Sequence, residues 1–229
     1  MTANAPDTRW KMIYLARRNP QLAAEDFAQA WREHSALGRQ CRNVQDRVRS
    51  VTQCVRSLAT LPADARQDYD GVNLLLLRDR DSADAIWSDP ETLAIMRPDE
   101  PRVFDRYVRD CALVAREQLL RDGPQGDAVL LVFLKCRSTL QPADWAGLPS
   151  RQTTPASGAQ QLMLNLVEPQ RPSGYDYDAI LEWWFQDEPQ MLQALAGRGG
   201  LDSLPVELPS ACERDSAVVI AARVSHRRP

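Results

Sequence analysis

Two stretches of this 229-residue chain repeat earlier ones. Tyr69 to Asp79 (YDGVNLLLLRD) reads against Tyr177 to Asp187 (YDAILEWWFQD), 108 positions further on. Leu22 to Ala28 reads against Leu140 to Ala146, 118 positions further on. A unit that occurs twice in one polypeptide constrains the fold, because each copy has a surface that its sister is best placed to cover.

The local patterns give the content of each copy. Trp10 to Arg18 is an apolar and aromatic run closed by Asn19-Pro20, a strand. Ala23 to Gly38 is helical, with Glu25 and Asp26 at the positive end of its dipole. Phe27, Trp31, His34 and Leu37 form one stripe at spacings of four and three. Val48 to Ser57 is a mixed, β-branched strand, and Gly71 to Arg78 an apolar one. A helix capped by Asp81 begins at Ser82, breaks at Asp89-Pro90 and resumes over Glu91 to Met96. Tyr107 to Glu117 is the last strand. The order βαββαβ is the ferredoxin-like arrangement, with its first and third strands central and its second and fourth at the edges. Arg47, Arg49 and Arg56 then read as a charged, solvated edge that discourages further pairing.

The second copy runs through Ala128 to Arg137, a stunted helix over Pro142 to Gly147, and the strands Gln161 to Glu168 and Tyr177 to Phe185. A helix over Asp187 to Gly197 and a last strand over Ala217 to Ser225 complete it. The expected domains are residues 10–120 and 127–226, joined by a linker at 121–126. Leu74 to Leu77 and Trp183-Trp184-Phe185 are apolar on both faces, so each sheet needs helices on one side and a cover on the other. The expected fold class is α+β: two ferredoxin-like repeats whose sheets meet face to face as a pseudo-dimeric α+β barrel within one chain.

Composition excludes several functions. A net charge of −3, with 26% charged residues of both signs, gives no basic stripe for nucleic acid. No apolar run is long enough to cross a membrane, and Met1 to Arg9 has no apolar segment of a secretory signal. Five cysteines without paired spacing read as buried thiols of a reducing, cytoplasmic compartment, with no metal site.

Met12 to Arg18, the helix from Ala24 to Ala36 with Trp31 and His34, the Asp70-Gly-Val turn and the helix from Ser82 to Met96 together resemble the EthD family. The resemblance covers residues 10 to 120. It implies a dimeric α+β barrel whose wider kin include cofactor-independent cyclases, isomerases, oxygenases and dehydratases of aromatic, lactone or polyketide-like compounds. Related barrels with tandem halves include haem enzymes with a histidine axial ligand; only His34 could serve here, in a different context, so no cofactor is expected. At the offset of 118 Trp31 maps to Pro149 and His34 to Gln152, so the second copy lacks the motif.

The resemblance and the patterns nominate His34 as acid or base, with Tyr14, Trp31, Asn73, Glu182 and Trp184 around a small apolar carbonyl compound. Tyr14 could offer its phenol to an oxyanion, although Phe133 stands at its counterpart 119 positions on. Asn73 and Glu182 interrupt apolar strands and must each find a partner. Trp183 and Trp184 must point to opposite faces. The competing reading makes the protein a non-catalytic ligand-binding or partner module in which His34 is a core histidine and Tyr14 and Trp31 are packing residues. His226 would be frayed at the end of the chain. In either reading the second repeat replaces a homodimer partner, with further association left open.

Overall fold

A computed structural model describes residues 9–59, 65, 67–138, 144, 158–196 and 210–228. Eight strands alternate with short helices: β1 (Arg9–Ala16), α1 (Phe27–Leu37), α2 (Arg42–Arg47), β2 (Val48–Arg56) and β3 (Gly71–Leu77) lead. Next come α3 (Asp81–Ser88), α4 (Pro90–Ile95), α5 (Glu100–Val103) and β4 (Ala112–Arg121). The rest is β5 (Ala128–Leu134), β6 (Gln161–Val167), β7 (Ala179–Phe185), α6 (Glu188–Ala196) and β8 (Val218–Arg228). All neighbours pair antiparallel, in the closed order β1-β3-β2-β8-β5-β7-β6-β4.

Both halves show the expected internal order, β4-β1-β3-β2 and β8-β5-β7-β6. The expectation of two sheets stacked face to face is corrected. They join edge to edge, β2 to β8 and β4 to β6, into one barrel. Closure satisfies the ladder groups that an open edge would leave to solvent. The Arg-rich edge is corrected for the same reason: Arg56 lies in a paired strand and donates to Tyr69 O at 3.0 Å. His226 is likewise not frayed, since it sits in β8 opposite Gln53.

Pleating decides which side chain goes where. Tyr14 on β1 touches Trp31 of α1, with ring centroids 6.0 Å apart, so Met12 and Tyr14 face outward beneath the helices. Lys11, Ile13 and Leu15 therefore point into the barrel, where they meet the inward row Val129, Leu131 and Phe133 from β5. Phe133 thus faces inward while Tyr14 faces outward, and the equivalence at 119 positions is corrected. A slip of one residue exchanges the two faces. On the far side α6 buries Met191 and Leu195 against Leu130, Val132 and Trp183. Trp184 points into the barrel and Trp183 out toward α6, opposite faces as the pleat requires.

Local signals shift a few boundaries. α1 starts at Phe27, four residues later than expected, and buries Phe27, Ala30, Trp31 and His34. Asp79, rather than Asp81, accepts from the Ser82 N–H, at 2.8 Å. The last strand of the first half begins at Ala112, after one tight turn over Val108–Cys111. The helix expected over Pro142 to Gly147 lies outside the described residues apart from Asp144. No helix among the described residues is long and apolar enough to cross a membrane. All five cysteines are free thiols, with Cys136 and Cys212 opposite each other, their Sγ atoms 3.4 Å apart.

Gly71 opens β3 where α1 comes closest to the sheet. A Cβ there would lie 2.6 Å from Cys54 O and 2.6 Å from Trp31 Cζ3. The carbonyl belongs to a paired strand and cannot retreat. Gly71→Ala is therefore expected to lower stability by about 1–3 kcal/mol in urea unfolding, the usual range for overpacking.

Candidate functional site

The outer face of β1, β3 and β2 and the helices α1 to α5 enclose a cavity of about 70 Å³. That is room for several waters or, with slight opening, one small ring. Its walls are mostly apolar, with Met12, Val51, Leu75 and Ile86 among them, and its polar lining includes Tyr14, His34, Asn73, Glu100 and Arg228. Three of the six nominated residues, His34, Tyr14 and Asn73, are thus brought to one place by three different elements.

α1 carries His34 on its buried stripe, 4% exposed. Its Nδ1–H donates to Asp99 Oδ2 at 3.0 Å, and the ring stands edge-on to Phe104. Asp99 is held in turn by Arg102, whose Nε lies 2.7 Å from Oδ1. A carboxylate on Nδ1 fixes the tautomer and leaves Nε2 as the basic nitrogen. Burial pulls the imidazole below its ordinary 6.5, against the opposing pull of Asp99, so it is neutral at pH 7. The sign for stability follows: a depressed folded value gives a contribution that is complete above 6.5 and lost as the pH falls through the folded value. The Arg102 hydrogen bond, followed by His34's, holds the Asp99 carboxyl below its usual 3.8. Replacing Asp99 with asparagine removes the partner that favours the imidazolium. The His34 titration in a proton NMR series is then expected to move to lower pH than in the wild type, and an unchanged midpoint would show that Asp99 does not govern the ring.

Tyr14 is 6% exposed, and its hydroxyl accepts from Trp31 Nε1 at 3.3 Å. Burial drives the phenol's pKa well up, outweighing the Trp31 and Asn73 side chains that favour the phenolate. The O–H therefore keeps its proton and can donate it in a hydrogen bond. Opposite Tyr14 across the β1–β3 ladder, Asn73 is 3% exposed and its Oδ1 has no hydrogen-bond partner. A buried acceptor in that state costs about 1–3 kcal/mol. Glu100 is 6% exposed; burial raises its pKa above 4.5 although Oε2 accepts from the Val108 N–H at 2.9 Å.

The other nominated residues lie elsewhere. Trp31 is fully buried between Phe27, Tyr14 and Phe104 and does not line the cavity. Glu182 and Trp184 are inside the barrel. Glu182 Oε1 accepts from Lys11 Nζ and from Asn165 Nδ2, both at 2.7 Å, and Oε2 accepts from Trp184 Nε1 at 3.0 Å. Lys11 also pairs with Glu117, which Arg9 reaches from the barrel mouth at 3.0 Å. The polar interruption at Glu182 thus has protein partners at both of its oxygens.

Asp99 and Glu100 escaped the sequence reading. Asp99-Glu100-Pro101 carries the signal of a helix start, and nothing local says that Asp99 turns toward α1 or that Glu100 reaches the cavity. Among the described residues no three His, Cys, Asp or Glu side chains come together as a metal site requires.

This is a small, partly open site on an eight-stranded antiparallel α+β barrel. Residues 19–107, which supply its helices and most of its walls, match the family model of the EthD domain. Solved structures share the whole fold. An anthrone oxidase-like protein superposes with a TM-score of 0.58 over 97% of this chain and 94% of its own, at 9% identity. A candidate monooxygenase of Fusobacterium nucleatum gives 0.52 over 96% and 93%, also at 9% identity. No curated protein matches the sequence.

Proposed function

We propose that the chain is a tandem pseudo-dimer of two ferredoxin-like repeats that binds a small apolar carbonyl compound in the α1 cavity and transforms it by acid–base chemistry. Two facts support the tandem reading. The halves have the same internal strand order, and the sequence offsets of 118 and 108 carry the facing pair Tyr14 and Asn73 onto the facing pair Val132 and Leu181. The second repeat then occupies the place of a homodimer partner, with residues 121–126 as the link. The reading needs neither nucleic acid nor membrane, and it places the protein in the cytoplasm.

One observation carries the chemical reading: a neutral imidazole, fixed by a carboxylate on Nδ1, shares a cavity with a neutral phenol and an unpartnered amide oxygen. His34 Nε2 takes a proton from a carbon or hydroxyl next to the carbonyl. Asp99 stabilises the imidazolium that forms, and the Tyr14 O–H donates to the developing oxyanion. The proton returns from Nε2 to the product. A positioned base of this kind supplies about 10²–10⁴-fold in rate. The chain's own residues suffice for these steps, and no cofactor is invoked.

The test is a proton NMR titration of the wild type, with His34→Gln to assign the ring, in the presence of small aromatic ketones and lactones. Movement of the His34 signals by a compound, and its slow conversion, are the expected results. Binding without conversion would mark a carrier. Signals that ignore every compound would mean that His34 is a packing residue, and the proposal would fail.

A further inference from the structure

The cavity opens beside a concentration of positive charge that has no function in the chemistry just described. β8 runs on to Arg228, and beyond the irregularity at Gln53 and Cys54 its register places His226 opposite Gln53 and Arg228 opposite Val51. Two residues apart on one strand, both point to the face that α1 covers, and Arg228 lines the cavity. Arg32 of α1 reaches the same strand, its guanidinium 3.3 Å from Ser225 O, and Arg39 follows in the turn after α1. The four groups crowd one another. Burial and then Arg39, Arg228 and Arg32 push the His226 imidazole down, and burial and Arg39 lower Arg228. Among the described residues, none of the leading influences on either group is a carboxylate, and neither Arg39 nor Arg228 forms an ion pair. Several arginines elsewhere on the first half are matched: Arg18 to Asp70, Arg80 to Glu168 and Arg102 to Asp99.

At the inner end the cavity presents the opposite need. Among the described residues no hydrogen-bond donor is assigned to the buried Asn73 Oδ1. Between the two ends the wall is apolar: Met12, Val51, Leu75 and Trp87. We propose that the compound taken by this cavity is a small hydroxylated aryl or alkenyl carboxylate, its carboxylate seated against Arg228 and Arg39 and its hydroxyl donating to Asn73 Oδ1. The inference rests on the cavity being the ligand site and narrows the compound proposed above to one whose apolar body carries a carboxylate at one end and a hydroxyl at the other. A carboxylate would compensate like charges that otherwise repel at the mouth, in the forked geometry that guanidinium favours. The hydroxyl would supply the donor that the amide oxygen lacks.

The experiment compares three probes of one shape on the full chain: 3-hydroxybenzoate, its neutral analogue 3-hydroxybenzyl alcohol, and benzoate, which lacks the hydroxyl. Affinity is read by calorimetry and site occupancy by the His34 NMR signals. 3-Hydroxybenzoate is expected to bind at least about tenfold more tightly than either of the others, as one charge-assisted contact or one matched buried acceptor allows. Its lead over the alcohol should shrink in Arg228→Met. The same lead should shrink in the wild type as salt rises from about 0.05 to 0.5 M, a readout that survives if the variant does not fold. Equal affinities for acid and alcohol, with both moving His34, would overturn the anionic class and leave the site standing. Equal affinities for 3-hydroxybenzoate and benzoate would overturn the role given to Asn73. Failure of all three to move His34 would overturn the ligand site and this inference with it.

Discussion

Replacing Lys11 with methionine is expected to destabilise the protein by about 3–5 kcal/mol at pH 7, the cost of leaving a buried charge without its partner. Lys11 stands inside the barrel with its side chain 6% exposed, between Glu117 at 1% and Glu182 at 0%. Burial alone would pull its pKa down, but the attraction of Glu182 and then of Glu117 outweighs that, and the ammonium stays above its ordinary 10.5. The wild type therefore has the full contribution of this group below pH 10.5 and loses it only as the pH rises through the folded value. Without Lys11, two buried carboxylates face each other, and the Arg9 that still pairs with Glu117 stands at the solvent-exposed mouth. One must take a proton to relieve the repulsion, so the variant is expected to recover part of its loss between pH 7 and pH 5. Glu182→Gln should cost less. It leaves Lys11 paired with Glu117, and its one amide oxygen can still accept from Lys11 and Asn165, while the Trp184 indole N–H loses its acceptor. Urea unfolding at the two pH values decides the matter: a loss below about 1 kcal/mol at both would show that the network contributes nothing net, as buried ion pairs sometimes do.

That network also marks where the sequence stopped being legible. Strand and helix content came through because each element carries a period: the apolar run of Gly71 to Leu77 and the stripe of Phe27, Trp31 and His34 lie where the pattern puts them. Glu182 was visible as a polar interruption, but its partner Lys11 is 171 residues away and looks like any strand lysine. Asp99 reaches His34 across 65 residues, and Glu100 comes to the cavity by the same turn of chain. Long-range pairing of this kind has no local periodicity to announce it. Barrel closure was hidden for a related reason. The mixed composition of β2 suits an edge strand, yet β8 extends to Arg228 and covers it. That His34 and Tyr14 line one cavity was legible because a helix stripe and a strand face are local facts; the carboxylate and the arginines that stand near them are not.

Trp31→Ala is expected to cost about 3–5 kcal/mol, the range for removing a large buried aromatic side chain, and to disturb the candidate site with the fold. The indole is fully buried, with ring centroids 5.0 Å from Phe27 and 6.0 Å from both Tyr14 and Phe104. It is the wedge between α1 and the sheet, packed so closely that Gly71 has no room for a Cβ beside it. Its Nε1–H is also the donor to the Tyr14 hydroxyl. Truncation therefore removes packing and orientation together, and loosens the helix that carries His34 three residues further on. Burial is the main cause that depresses the His34 imidazole. A loosened α1 should let its NMR titration return toward the ordinary 6.5, while Trp31→Phe should keep the packing, give a smaller loss in urea, and hold His34 near its wild-type midpoint. A Trp31→Ala protein that lost the stability but kept the His34 titration unchanged would separate the wedge from the site, and would mean that Asp99 and Phe104 alone hold the ring.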